Sequence, residues 1–280
     1  MGNPVVVITG AASGIGLALS EACAQRNMQV VMVDKNKPRL DDEVARITQK
    51  SLSSIMGLSC DVADASDVRT LAESVYSSFD GIDILFNNAG IFGDFKPLWE
   101  LTDECVREVM DVNLFGVFHG AHSFLPYMFK QKNRARIVNI ASLYGLCSSS
   151  QVAAYAMSKH AILALSESLY FDLKRLNKPV DVSVVFPSFA NTQLISNSLS
   201  STSSGLHDLM ASMLERSKSA DDVAQHILQG IEKGQFYILP DKEVKAYCEQ
   251  RTQAIVEQTM PARHNLEKVM DSLCKRAASA

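Results

Sequence analysis

Tyr155 and Lys159 stand four residues apart in Tyr155-Ala156-Met157-Ser158-Lys159. On a helix this spacing is about one turn, so both side chains share a face. A free phenol has a pKa near ~10 and is a poor base at neutral pH. An ammonium beside it favours the phenolate and draws that pKa toward the working range. Such a pair can take the proton of a substrate hydroxyl, or return it, while hydride leaves or joins the carbon. Ser142 follows the apolar run Ile137–Ile140. Its hydroxyl is placed to bond the substrate oxygen and to steady the charge developing there. A Tyr and a Lys at this spacing are by themselves an ordinary solvated helix face, so the surrounding chain must decide.

The second constellation opens the chain. Val5–Ile8 is followed by Thr9-Gly10-Ala11-Ala12-Ser13-Gly14-Ile15-Gly16. Glycines permit a tight turn and let backbone N–H groups reach a pyrophosphate, at which the next helix points its positive end. The order is G-x-x-x-G-x-G rather than G-x-G-x-x-G, and its place between strand and helix strengthens it. The second strand ends at Asp34, 18 residues beyond Gly16. An acid there accepts from ribose hydroxyls and repels a 2′-phosphate, which favours NAD(H) over NADP(H). Lys35, Lys37 and Arg39 lie close by and argue the other way, since a basic cluster can hold that phosphate. Asp61 and Val62 follow the third strand, where they can meet the adenine edge; a helix N-cap is the competing role for Asp61.

These residues need a frame. Short β-branched or apolar runs recur at Val5–Ile8, Val30–Val33, Ser54–Ser59, Ile82–Phe86, Ile137–Ile140, Val182–Phe186 and Phe236–Leu239. Helix-length segments lie between several of them, at Gly14–Asn27, Asp64–Phe79, Asp103–Lys132, Val152–Leu176 and Ala220–Lys233. Alternation of this kind predicts a parallel sheet covered by helices on both faces. A Ser-rich loop, Ser196–Gly205, follows the sixth strand, and residues 241–280 read as one or two helices broken near Pro261.

In order along the chain, the glycine turn, Asn87-Asn88-Ala89-Gly90, Asn113, Ser142 and the Tyr155/Lys159 pair resemble the short-chain dehydrogenase/reductase family. The likeness runs from about residue 4 to about residue 240. It implies an α/β fold of the Rossmann type: a doubly wound parallel sheet of about seven strands in one domain, residues 1–240. A substrate loop at about 188–215 and a helical C-terminal extension, 241–280, complete it. It implies an oxidoreductase that interconverts a secondary alcohol and a ketone or aldehyde with NAD(H). The alternatives are an NADPH-dependent carbonyl reductase, or a non-catalytic nucleotide sensor or scaffold on the same fold. The implied tetrad is Asn113, Ser142, Tyr155 and Lys159, with Lys159 also gripping the nicotinamide ribose and Asn113 helping to hold a relay water. Cofactor contacts are implied for Thr9, Gly10, Ser13, Gly14, Ile15, Gly16, Asp34, Asp61, Val62, Asn88, Ala89, Gly90, Pro187 and Thr192, while Asn87 ties strands together. Ser188 stands where the family shows glycine after Pro187, which puts the local backbone in question.

Composition narrows the rest. Lys+Arg is 27 against Asp+Glu 31, a net charge of -4 that does not suit nucleic-acid binding. No signal peptide or ~20-residue apolar span is legible, and six scattered cysteines without C-x-x-C spacing read as reduced thiols, so a cytoplasmic protein is expected. The six histidines offer no metal-ligand spacing, and no metal is expected. Phe92, Phe95, Leu143, Tyr144, Leu146, Phe189 and Leu194, with Ser196–His207 as a lid, suggest a small to mid-sized apolar substrate; Trp99 reads as packing or helix-start structure. Apolar residues such as Ala161, Leu165 and Leu169 suggest a homodimer or homotetramer.

Overall fold

A computed structural model describes residues 2–188, 217–261, 263 and 267–268. Val5–Thr9 (β1) is buried along its whole length and lies at the centre of a parallel sheet. Gln29–Asp34 (β2), Ile55–Ser59 (β3), Ile84–Asn87 (β4), Ala135–Ile140 (β5), Val180–Val185 (β6) and Tyr237–Ile238 (β7) complete it in the order β3-β2-β1-β4-β5-β6-β7. All six pairings are parallel. Strand addition reverses between β1 and β4, and ligands in such sheets bind in the crevice at the carboxyl ends beside that switch. The expected doubly wound α/β fold of seven strands is therefore observed.

Successive side chains of a strand face opposite sides. Val6 and Ile8 accordingly enter one hydrophobic layer, with Leu19, Cys23, Ile227 and Leu228. Val5 and Val7 enter the other, with Leu85, Phe124, Met128 and Ile137. The first layer is covered by Gly14–Gln25 (α1) and by a helix near the end of the chain, Ala220–Glu232. A third cluster gathers Phe92, Phe95, Leu143, Tyr144, Leu146 and Tyr155 near the carboxyl ends of β4 to β6.

The helices differ from expectation at two places. Lys37–Thr48 forms a helix (α2) between β2 and β3 that the sequence reading passed over. Asn36 caps it by accepting from the Arg39 N–H, and Pro38 sits in its first turn, where a missing N–H costs nothing. After Ala65–Ser78 (α3), the long middle segment is not one regular helix. Asp103–Met110 (α4) passes through a π turn, Asp111–Phe115, into Gly116–Met128 (α5). Such turns leave backbone groups out of the regular ladder and recur at functional sites. Ala153–Arg175 (α6), Ala220–Glu232 (α7) and Lys242–Val256 (α8) follow.

Trp99 sits in a one-turn helix, Leu98–Glu100, ahead of α4; at 84 % exposure it does not serve as packing. Leu165 and Leu169 are half-buried and pack in part against the chain's own core. The outward apolar residues of these helices are Phe115, Phe118, Met157 and Phe171. Five of the six cysteines lie among the described residues and all five are free. No helix among the described residues is long and apolar enough to cross a membrane.

Candidate active site

The turn between β1 and α1 is built for an anion. Gly10 and Gly14 adopt φ of 65° and 54°, a region that costs glycine nothing. A Cβ on Gly16 would meet the Gly10 carbonyl oxygen at 2.2 Å, so the helix approaches the turn as only glycine allows. Ser13 occupies the N-cap of α1, yet its hydroxyl does not cap the helix, and no acidic residue stands in the first turn. The first N–H groups are thus left to an external acceptor. Ile15 packs against the layer beneath.

Thr9 braces this turn rather than opening to solvent. Its buried hydroxyl donates to the Phe86 carbonyl at 3.2 Å and accepts from the N–H groups of Asn88 and Ala89 at 2.9 and 3.1 Å. Asn88 Nδ2 in turn donates to the Thr9 carbonyl at 2.7 Å. The two residues lock the ends of β1 and β4 together at the switch point. Asn87 ties β4 to β5 by donating to Asn139 Oδ1 at 2.9 Å.

Asp34 lies at the end of β2, and both its oxygens are oriented. Oδ2 accepts from Ala12 N at 3.1 Å and Oδ1 from Asn36 N at 2.9 Å. Each oxygen keeps a lone pair for a further donor. Of the neighbouring cations, Lys37 is paired with Asp41 at 2.7 Å. Asp61 accepts from Ala63 N at 3.0 Å, whereas Asp64 is the N-cap of α3; the capping role considered for Asp61 belongs to Asp64. Val62 is buried, and its carbonyl lies 2.9 Å from His119 Nδ1.

Asn113 occupies the π turn and is fully buried. Its Oδ1 accepts from Ile91 N at 2.8 Å, while Nδ2 donates to Ile91 O at 2.9 Å and Ser158 Oγ at 3.0 Å. The Ser158 hydroxyl continues to the Tyr155 carbonyl at 2.7 Å. Asn113 therefore splints the loop after β4 to the first turn of α6. Both its N–H donors are used in doing so, which leaves only a lone pair on Oδ1 for water. Gly90 is held just above: a Cβ there would lie 3.2 Å from Asn113 Oδ1 and 3.5 Å from Lys159 Nζ.

Tyr155 and Lys159 are both buried at the start of α6. The Tyr155 ring stacks on Phe92 with centroids 4.6 Å apart and meets Tyr144 edge-on at 6.1 Å. Lys159 Nζ lies 5.4 Å from the centre of that ring and donates to the Ile140 carbonyl at 3.0 Å. Burial pushes the Tyr155 phenol up to about 12, against a downward pull from its hydrogen bond with Ser142. Burial pushes the Lys159 ammonium down to about 7. Here the structure corrects the sequence reading, which had Lys159 drawing the phenol toward neutrality. In this apolar pocket desolvation outweighs the Ser142 hydrogen bond, and the phenol keeps its proton at neutral pH.

The Ser142 hydroxyl accepts from Tyr144 N at 3.3 Å, which fixes it over the short turn Leu143–Gly145. Pro187 follows β6, and its carbonyl accepts from Leu143 N at 2.8 Å. Thr192, Phe189, Leu194 and the Ser196–His207 stretch lie outside the described residues. Of the expected substrate wall, Phe92, Phe95, Leu143, Tyr144 and Leu146 join one cluster with Tyr155. Sequence reasoning missed Val152 and, from the C-terminal extension, Val244, Tyr247 and Cys248, which pack in the same cluster. Only the apolar spacing of those three on α8 could have signalled it.

Comparison with known proteins agrees with this geometry. Residues 4–202 match the family model for short chain dehydrogenase. The chain is 32% identical over 240 residues to 1-deoxy-11-beta-hydroxypentalenate dehydrogenase of Streptomyces exfoliatus, covering 85% of this chain and 83% of that one. It is 34% identical over 200 residues to human 15-hydroxyprostaglandin dehydrogenase [NAD(+)], covering 68% and 70%. A short chain dehydrogenase/reductase from Burkholderia phymatum, solved in complex with NAD, superimposes with a TM-score of 0.85 at 32% identity, covering 93% of this chain and 97% of that one.

Proposed function

The chain belongs to the short-chain dehydrogenase family, an oxidoreductase acting on CH–OH groups with NAD or NADP, and from that premise we propose a specific reaction and a division of labour. The reaction is the NAD(H)-dependent interconversion of a secondary alcohol and its ketone or aldehyde, in a small to mid-sized apolar molecule. The observation that carries it is the buried Tyr155 phenol, enclosed by Phe92, Tyr144 and Leu146 with Lys159 and Ser142 alongside.

The residues present fit a dinucleotide. The uncapped N-terminus of α1 and the glycine turn suit its pyrophosphate, the oriented Asp34 carboxylate its adenosine ribose, and Gly90, beside Lys159 Nζ, its nicotinamide end. When bound, the nicotinamide supplies hydride transfer to or from the carbinol carbon. In the alcohol-forming direction Tyr155, held neutral by burial, gives its proton to the substrate oxygen, and Ser142 donates a second hydrogen bond to the same atom. In the reverse direction Tyr155 takes the proton back as phenolate. Lys159 Nζ, 5.4 Å from the centre of the Tyr155 ring, favours that phenolate whenever it carries its proton. Lys159 would also grip the nicotinamide ribose, and Asn113 sets the loop on which Gly90 and Ile91 stand.

NAD(H) is favoured because Asp34 is fixed beside the glycine turn while Lys37 is engaged by Asp41. The solved relative bound to NAD, and the human relative named for NAD(+), support the same choice. Exposed Phe115, Phe118 and Phe171 support a homodimer or homotetramer, and free thiols support a cytoplasmic setting. The test is a panel of apolar secondary alcohols and ketones assayed with each cofactor, followed by Asp34→Ala. A charge-assisted hydrogen bond is worth ~1.5–3 kcal/mol. The variant is expected to lose tenfold or more in kcat/KM with NAD(H) and to gain relative preference for NADP(H). An unchanged cofactor preference contradicts the assignment.

A further inference from the structure

Asp241 lies outside the constellation above, yet the residue is only 4 % exposed. It precedes α8 at the N-cap position, where an aspartate ordinarily accepts from the helix's own first turn; here it makes no such cap. Its carboxylate turns back to the sheet. Oδ2 accepts from Ser188 N at 2.9 Å, and Oδ1 faces the Lys218 ammonium at 3.2 Å. The same ammonium donates to the Pro240 carbonyl. One carboxylate therefore holds the residue that leaves β6 and the lysine that precedes α7.

The connection continues to the reacting groups. Ser188 is bonded to Pro187, whose carbonyl accepts from Leu143 N at 2.8 Å, and Leu143 adjoins Ser142. Two hydrogen bonds and two covalent steps lead from Asp241 to the hydroxyl proposed to bind the substrate oxygen. Burying a carboxylate is costly unless it is paired and hydrogen-bonded, and Asp241 is both. Its contacts go to the backbone that sets Ser142, not to its own helix. This also accounts for Ser188 in place of glycine: what the site uses from that residue is its N–H, which any residue but proline supplies.

We propose that Asp241 is a positioning residue for the reaction, holding the backbone after β6 and through it the Leu143 turn that aims Ser142. The inference rests on the roles of Ser142 and Tyr155 given above. A displacement of about 1 Å in such a group costs on the order of a hundredfold in rate.

The test compares Asp241→Ala and Asp241→Asn with Tyr155→Phe. The readouts are steady-state kinetics, thermal unfolding and direct titration of the reduced cofactor by its own fluorescence. D241A is expected to lower kcat tenfold or more and to raise the substrate KM. Its cofactor Kd should rise by less than kcat falls, because the glycine turn and Asp34 stand across the sheet and, of the implied cofactor contacts among the described residues, only Pro187 lies on the backbone that Asp241 holds. D241N keeps an acceptor for Ser188 N and loses the ion pair, so a smaller fall in kcat, threefold or more, is expected; it carries the test should D241A not fold. A D241N enzyme with unchanged kcat and KM overturns the inference, as does a D241A enzyme that is less stable but equally fast. Tyr155→Phe separates the two levels. If it is inactive while D241A is fully active, only this inference fails; if it is active, the reading of the site fails.

Discussion

Lys159 is the residue at which function and stability pull apart most clearly. Burial lowers its pKa from 10.5 to about 7. Between those values the unfolded chain binds the proton and the folded one does not, so stability rises with pH. The penalty is full below about pH 7 and is relieved as pH climbs toward 10.5. It amounts to something on the order of 5 kcal/mol at pH 6. Lys159→Met removes that penalty and forfeits the hydrogen bond to Ile140, worth ~1–3 kcal/mol. The variant is expected to be inactive yet more stable at pH 6, by on the order of 2 kcal/mol, or several degrees in Tm. Its advantage should shrink by pH 10. Thermal unfolding at the two pH values checks this, and a lower Tm at pH 6 contradicts it. The identity of Lys159 was legible from its spacing to Tyr155. The direction of both pKa shifts was not, because desolvation depends on which rings close over the pair.

At the scale of elements, α5 presses on β4 with no room to spare. A Cβ on Gly120 would lie 2.2 Å from Asn87 Oδ1, inside the network that joins Asn87, Asn139 and Ser166. Gly120→Ala is therefore expected to destabilise by ~1–3 kcal/mol, read as a fall in the thermal midpoint of several degrees. An unchanged midpoint contradicts this packing. Strands were the more legible elements, because runs such as Val30–Val33 are apolar throughout and bounded by turns. Helix α2 was harder to see, since Leu40, Val44 and Ile47 are its only apolar contacts with the core and charged residues surround them. Its signals were the Asn36 cap, Pro38 and the i, i+4, i+7 spacing of those three residues. The π turn at Asn113 had no such signal: Asp103–Lys132 carries continuous helical character, and only contacts with Ile91 and Ser158 show why it widens there.

Across the whole molecule, the candidate site draws on the turn after β1, the ends of β2, β4, β5 and β6, and the first turn of α6. The order of motifs along the chain revealed these because each follows its own apolar run. The part played by the C-terminal region was hidden, because Asp241 and Val244 act only through partners far away in sequence. Val244 is fully buried in the cluster that encloses Tyr155, and Tyr247 and Cys248 pack against it, so this part of α8 shares a core with the site. All these elements converge on one phenol, and its removal tests the account most directly. Tyr155→Phe should keep the fold and bind reduced cofactor within threefold of the unaltered protein, while kcat on the best alcohol of the panel falls a thousandfold or more. A Tyr155→Phe enzyme that turns over that alcohol at the original rate contradicts the assignment of the proton to Tyr155.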